Sequence, residues 1–205
     1  MSLLRFFHGC PQMGEVSVFV GGDAMSVPIA RGLAYGESTP HIFMHGGHTT
    51  IRVEEEGKVR VQNHVIIPEN QSFTLMILCR GGVMELVAIT EAAPELEEGS
   101  SGVRIASFAQ GEELLEFWRW FGNEEEQLFS QITEGDVSEY AQIEPGMHRL
   151  EIRKEGGTLS ILPEHRAVEG RMYTVFIIGR THPDEEEFPV AIRVLEDMKT
   201  TIATE

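Results

Sequence analysis

The chain lacks the features that mark several large classes of protein. Only two cysteines occur among its 205 residues, and Asp and Glu outnumber Lys and Arg by 33 to 16. No apolar run approaches the roughly 20 residues that a membrane helix needs, so we expect no membrane span. No apolar segment with a cleavage site marks a signal peptide at the start. We therefore expect a cytoplasmic protein by default, or one of the cell envelope or exterior if a signal segment preceded this sequence.

The charge balance disfavours anionic partners. The formal net charge is −17, with eight histidines counted as neutral. Such a surface repels the phosphate backbone, so we expect no binding of nucleic acid. It equally disfavours anionic membranes and favours cations or basic partners.

Catalytic signatures are missing as well. The sequence contains no Gly-x-Ser-x-Gly, no His-Glu-x-x-His and no P-loop. His8 and Cys10 stand two residues apart, as a Cys–His catalytic pair could, but packing at the end of a strand is the simpler interpretation. We therefore expect a protein that is not an enzyme and that carries no cofactor.

The two cysteines can be interpreted in two ways. Cys10 follows the first predicted strand and Cys79 ends a long apolar strand, so a bridge between them is geometrically possible. The matching positions of the second half, near Ala109 and Ile178, hold no cysteine. Because two cysteines alone say little about whether they are bonded, we expect free buried thiols and keep a disulfide as the alternative.

The chain contains an internal repeat, in which Arg5 matches Arg104 at an offset of 99 positions. The matching segments are Leu4-Arg5-Phe6 and Val103-Arg104-Ile105, Val16-Ser17-Val18-Phe19 and Leu115-Glu116-Phe117-Trp118, residues 35–53 and 134–152, and Phe73-Thr74-Leu75-Met76 and Tyr173-Thr174-Val175-Phe176. A repeat of this length can close a core of its own. We therefore expect two small domains in tandem.

The local pattern within each copy is typical of strands. Apolar residues alternate with polar ones at Val16–Val20 and Ile51–Val53, and glycine-containing turns such as Gly46-Gly47 separate the runs. Residues 112–121 have some helical character, but their match to the Val16 strand overrules it. The sequence predicts an all-β chain of two tandem immunoglobulin-like β-sandwich domains. The expected boundaries are a first repeat at 1–91, an acidic linker at 92–101, a second repeat at 102–197 and a frayed tail at 198–205.

Several of these motifs also suggest a family. His8-Gly9-Cys10-Pro11 with the following Val16–Val20 strand, the turn His45-Gly46-Gly47 and the closing Phe73-Thr74 resemble the bacterial family known as domain of unknown function 4397. The second copy departs most, since it opens on Ala106-Ser107-Phe108-Ala109 without the His or Pro. The resemblance implies tandem immunoglobulin-like domains, often associated with the bacterial envelope, and implies no activity.

The sharpest local signal is a pair of tryptophans. The repeat match assigns Leu115 and Phe117 to the core, and strand alternation then sends Trp118 and Trp120 to the opposite face, where Phe19 lies in the first copy. A large apolar patch of this kind should be covered. We expect packing between domains or in a homodimer, or else a platform that binds sugar rings or a protein. The expected partner is a protein or a cell-wall polymer.

A second candidate site involves histidines of the first copy. If residues 41–45 form a strand, His41 and His45 share a face and His48 lies just past the Gly46-Gly47 turn. Imidazoles gathered in this way bind zinc, copper or nickel. The second copy has Tyr140 and Glu144 at the first two positions, so a metal site would belong to the first copy alone. Ordinary surface histidines are the simpler interpretation, and a small-ligand or metal-binding protein is the alternative function.

Overall fold

The regular structure of the chain is β throughout the residues described by this computed structural model, which are 1–22, 25–91, 94–181 and 188–198. The strands of the first half are β1 Ser2–His8, β2 Val16–Gly22, β3 Met25–Leu33, β4 Ile42–Met44, β5 Gly47–Glu55, β6 Lys58–Ile67, β7 Ser72–Arg80 and β8 Val83–Thr90. Those of the second half are β9 Ser101–Ser107, β10 Leu115–Phe121, β11 Glu124–Ile132, β12 Ala141–Ile143, β13 Gly146–Lys154, β14 Gly157–Ala167, β15 Met172–Ile178 and β16 Ala191–Asp197. Within these ranges no helix is long and apolar enough to cross a membrane.

The chain divides into two compact units with the same topology. The first comprises Met1–Ala92 and Met198–Glu205, and the second comprises Ala93–Asp197. The first unit has the sheets β4-β1-β7-β8 and β3-β2-β5-β6, and the second has β12-β9-β15-β16 and β11-β10-β13-β14. Each order in one unit maps strand for strand onto the other, so the repeat in the sequence is a repeat of one sandwich fold. The predicted all-β tandem architecture is confirmed.

The residue-level boundaries stay predictions. Residues 92 and 93 of the expected acidic linker lie outside the described residues, as does the expected frayed tail from residue 199 onward. The linker's remaining residues, 94–100, fall between β8 and β9 without forming a strand.

Strand alternation builds the two cores. In β2 the residues Val16, Val18 and Val20 are buried while Ser17 and Phe19 are half-buried, and β10 repeats the pattern with Leu115 and Phe117 inward. The segment 112–121 therefore contains a strand and no helix, as the repeat match predicts. Burying an aromatic or branched side chain fully is worth about 1.5–3 kcal/mol, and such side chains fill both cores. The first core is built from Leu4, Phe6, Val16, Val18, Val20, Leu33, Ile51, Val53, Ile67, Phe73, Leu75 and Ile77.

A disulfide joins Cys10 to Cys79 in the first unit, with the two Cα atoms 5.0 Å apart. The expectation of free thiols is therefore wrong. The disulfide forms because β1 pairs with β7 in parallel, with His8 opposite Ile77. Two residues further along each of the two segments, the same parallel register brings Cys10 beside Cys79. The bond also removes Cys10 as a nucleophile, so the Cys–His pair considered above does not exist.

Candidate functional site

The tryptophans lie on the outer face of the sheet β11-β10-β13-β14. Because side chains alternate along β10, Leu115 and Phe117 enter the core of the second unit while Trp118 and Trp120 point the other way, as the sequence predicts. Both indoles are half-buried. In the antiparallel register Trp118 lies opposite Glu151 of β13, and Trp120 lies opposite Arg149.

Arginines of the neighbouring strand partly cover the two rings. The guanidinium carbon of Arg153 lies 4.6 Å from the ring centroid of Trp118, and that of Arg149 lies 5.9 Å from Trp120. Both distances fall within the range of cation–π attraction. The expected large apolar patch is thus smaller than the sequence implied, because the directly opposite Arg149 and the diagonal neighbour Arg153 cover part of it.

Carboxylates hold these arginines in place. Glu151 lies between them on β13 and forms an ion pair with each, and Glu125 of β11 forms a further ion pair with Arg153. Burial alone would lower the pKa of Arg153, but its hydrogen bonds to Glu151 and Glu125 raise that pKa above its ordinary value. The indole Nε1 of Trp118 donates to Glu116 at 2.9 Å. The result is a strip of alternating rings and charged pairs across three strands.

The first unit carries the same arrangement in a smaller form. Phe19 occupies the position of Trp118, and the guanidinium carbon of Arg52 lies 4.7 Å from its ring centroid. Arg52 also donates to the hydroxyl of Ser26 at 3.2 Å. Gly21 stands where the second unit has Trp120, so a depression of about 190 Å³ opens beside the phenyl ring. Its lining consists of Phe19, Gly21, Gly22, Ser26, Thr50, Arg52 and Gln62.

Both outer faces combine the groups that recognise sugars. A flat aromatic ring packs against the apolar face of a pyranose, while guanidinium, carboxylate, amide and hydroxyl groups exchange hydrogen bonds with its hydroxyls. Trp and Arg are also the residues that most often dominate protein–protein binding. The chemistry of the strip therefore suits a sugar chain or a protein surface.

The three histidines of the candidate metal site are placed in different surroundings. The Nε2 atom of His41 donates to the carboxylate of Glu91 at 3.0 Å, His45 is exposed after the end of β4, and His48 is exposed on β5. Strands β4 and β5 belong to different sheets, so the chain changes sheet between His41 and His48. Among the described residues, no group of three or more His, Cys, Asp and Glu side chains is arranged to hold a metal ion. The histidine site stays a prediction.

Sequence reasoning missed a buried polar network that each unit contains. In the first unit Arg5 donates to the hydroxyl of Thr74 at 2.7 Å and pairs with Glu91 at 3.1 Å, and Thr74 itself donates to Glu91 at 2.7 Å. Burial raises the pKa of Glu91, but hydrogen bonds from His41 and Thr74 and the charge of Arg5 bring that pKa below its ordinary value.

The second unit has the equivalent network. Arg104 donates to Thr174 at 2.9 Å, and Asp197 accepts hydrogen bonds from Thr174 and from the hydroxyl of Tyr140, both at 2.6 Å. Burial and the nearby carboxylate of Asp197 raise the pKa of Tyr140. The signal that could have revealed both networks is an Arg and a Thr repeated at matching positions inside otherwise apolar strands.

Comparison with known proteins gives one match to a family and several distant structural likenesses. A family model described as "Domain of unknown function (DUF4397)" matches residues 2–115, which is more than half of the chain. The search of curated proteins found no match to the chain.

The solved structures are similar only at low identity. A family 41 carbohydrate-binding module structure from streptococcal virulence factors shows 14% identity and a TM-score of 0.28, covering 86% of this chain and 93% of that one. A family 26 module from Eubacterium rectale, in complex with maltoheptaose, shows 9% and 0.29, covering 96% and 97%. A leucine-rich repeat protein from Bacteroides thetaiotaomicron shows 8% and 0.24 over 84% of this chain, which spans 25% of that protein. Likenesses at these scores say nothing of the function of this chain.

Proposed function

The chain belongs to the family described as domain of unknown function (DUF4397), and we propose that it is a non-catalytic binding module for a neutral polysaccharide of the cell envelope. The observation that supports this most is the pair Trp118 and Trp120 on the outer face of β10, flanked by Arg149 and Arg153. Two residues of a strand span roughly 7 Å, so the rings can contact successive parts of one extended ligand.

The polar groups of the strip favour a sugar over an apolar ligand. Glu151 is buried and pairs with both Arg149 and Arg153, and the two partly exposed guanidinium groups can turn their remaining N–H donors toward ligand hydroxyls. The chain's net charge of −17 repels polyanions. A neutral glycan therefore fits this surface better than an acidic one.

The disulfide supports a location outside the reducing cytoplasm. Bonds such as Cys10–Cys79 persist in secreted, periplasmic and cell-surface proteins and are rare in the cytosol. This departs from the default expectation from sequence and agrees with a role at the envelope. The location is part of the proposal.

A binding assay on insoluble polymers tests the proposed function. Purified cell wall and a panel of insoluble neutral polysaccharides are incubated with the wild type and with the variant Trp118→Ala/Trp120→Ala. We expect the affinity of the double variant to fall by about tenfold or more, because it loses both stacking surfaces. The matched control is Phe43→Ala, which removes an aromatic ring that is 74% exposed on β4.

Two outcomes would overturn the proposal. If the wild type binds none of the polymers, the polysaccharide class is wrong, and a protein partner takes its place as the ligand of the same strip. If the double variant binds as well as the wild type, the tryptophans are not the binding surface. The expected homodimer and the histidine metal site stay predictions that the structure does not favour over this one.

A further inference from the structure

A cavity opens at one side of the first unit, between two strands that each pair with one neighbour among the described residues. Strand β6 ends the sheet β3-β2-β5-β6, and β8 ends the sheet β4-β1-β7-β8. The space between these edges has a volume of about 190 Å³. Its lining residues are Ile51, Asn63, Val65, Ile66, Ile67, Pro68, Gln71, Phe73, Leu75, Leu86, Ala88 and Thr90.

The interior of this cavity is apolar and its polar groups are few. Ile51, Phe73 and Leu75 belong to the buried core of the unit, and Val65 and Leu86 pack against that core. Among the described residues that line the cavity, the polar side chains are those of Asn63, Gln71 and Thr90, and none is charged. The cavity is therefore an opening into the core, with uncharged hydrogen-bonding groups among its walls.

The second unit has a bulkier residue at one of these positions on the corresponding edge strand. In the first unit the core residue Ile51 lies opposite Asn63. In the second unit Leu150 takes the place of Ile51, and it lies opposite Leu162. Leu162 packs against the second core. At this position the first unit thus exchanges a core-packing leucine for a shorter, polar asparagine.

The other edge strand shows a second difference in the same direction. Leu75 lies opposite Ala88 in the first unit, and Val175 lies opposite Val194 in the second. Val194 packs against the second core, whereas Ala88 is exposed at the wall of the cavity. Both edges of the first unit therefore carry smaller core-facing groups than their counterparts, which opens the space between them.

We propose that this cavity is a binding site for a small uncharged molecule with an apolar body and a polar end. One water occupies about 30 Å³ of liquid, so the cavity holds roughly six non-hydrogen atoms, the size of a short alkyl chain or a single ring. The apolar body lies against Phe73, Leu75 and Leu86, and the polar end binds Asn63 or Gln71. The site is distinct from the aromatic face of the first unit, because Phe19 lies on the outer side of the sheet β3-β2-β5-β6 whereas the cavity lies between that sheet and the edge strand β8.

Titration with straight-chain alcohols tests this site. Butanol, hexanol and decanol are added to isotope-labelled protein, and binding is followed by nuclear magnetic resonance at the amides of β6, β7 and β8. We expect the affinity to rise about fourfold for each added methylene up to hexanol, because each buries more apolar surface. It should level off before decanol, because the cavity is then full.

Two variants test whether hexanol binds inside the cavity. Asn63→Leu/Ala88→Val introduces the second unit's residues and should weaken hexanol binding by about tenfold or more. The matched control His64→Leu adds the same leucine to the outer face of β6 and should bind hexanol like the wild type.

The proposal fails if hexanol leaves these amides unchanged in the wild type. It also fails if the double variant binds as well as the wild type. An affinity that keeps rising to decanol would likewise overturn it, because that result describes an open groove for a longer ligand or a partner strand. The alcohol series in the wild type decides the matter even if the double variant does not fold.

Discussion

At the scale of single residues, each unit buries an arginine of a core strand together with a carboxylate at or just past the end of its last strand. Arg5 and Glu91 are 5% and 1% exposed, and Arg104 and Asp197 are 6% and 2% exposed. A charge moved out of water is costly unless a partner compensates for it. Thr74 and Thr174 complete that compensation by hydrogen-bonding to both members of the pair in their unit.

We predict that Glu91→Gln lowers the free energy of unfolding by about 3–5 kcal/mol, because it leaves the buried charge of Arg5 uncompensated. Urea denaturation followed by circular dichroism measures the change. The matched control is Glu196→Gln, which breaks the exposed pair with Arg171 and should cost no more than about 1 kcal/mol. Equal losses in the two variants would show that the Arg5 network is not a source of stability.

At the scale of elements, the parallel pairs β1–β7 and β9–β15 lie at the centre of one sheet in each unit. Leu4 lies opposite Phe73 in one and Val103 opposite Tyr173 in the other. In the first unit alone, the disulfide continues this pairing past the end of β1. It closes the chain between residues separated by 69 positions, which restricts the unfolded state.

We predict that Cys79→Ser destabilises the first unit by about 3–4 kcal/mol, because the unfolded chain regains the freedom of a long loop. Denaturation of the variant against the unreduced wild type measures the difference. Thiol titration of the unreduced protein in denaturant should find no free thiol, and after reduction it should find both cysteines. Two free thiols before reduction would contradict the bond.

At the scale of the whole molecule, buried histidines occur in both units and influence the response to pH. Burial lowers the pKa of His8 in the first unit and of His148 and His165 in the second below the ordinary value of 6.5. The folded chain therefore binds fewer protons than the unfolded chain just below pH 6.5. Stability contributed by these groups is complete above that pH and is lost as the pH falls from it toward the lowered values.

We predict that the free energy of unfolding decreases between pH 7 and roughly pH 5, before most carboxylates take up protons. His165→Phe keeps a ring beside Tyr173 and removes one of the three groups, so its stability should fall less over the same range. Denaturation at a series of pH values measures both slopes. Parallel slopes in the two proteins would exclude His165 as a cause.

Much of this protein could be predicted from the sequence because its information is local and repeated. Alternation of period two in Val16–Val20 and Leu115–Phe121 decides which side chains face the core, and the offset between copies extends each assignment to the other. The family followed from short motifs in the same way, and the outward direction of Trp118 and Trp120 followed from strand geometry alone.

Only the tertiary structure decided what those residues touch. The sequence does not state the register of β1 against β7, so it left the Cys10–Cys79 disulfide as an alternative to free thiols. It does not state which residues of β13 lie beside Trp118, so it could not predict that Arg153 packs over the indole ring. The opening beside Asn63 likewise depends on two edge strands that are distant in sequence. Local alternation determines the face of a side chain, whereas its neighbours depend on strand pairing between segments far apart in the chain.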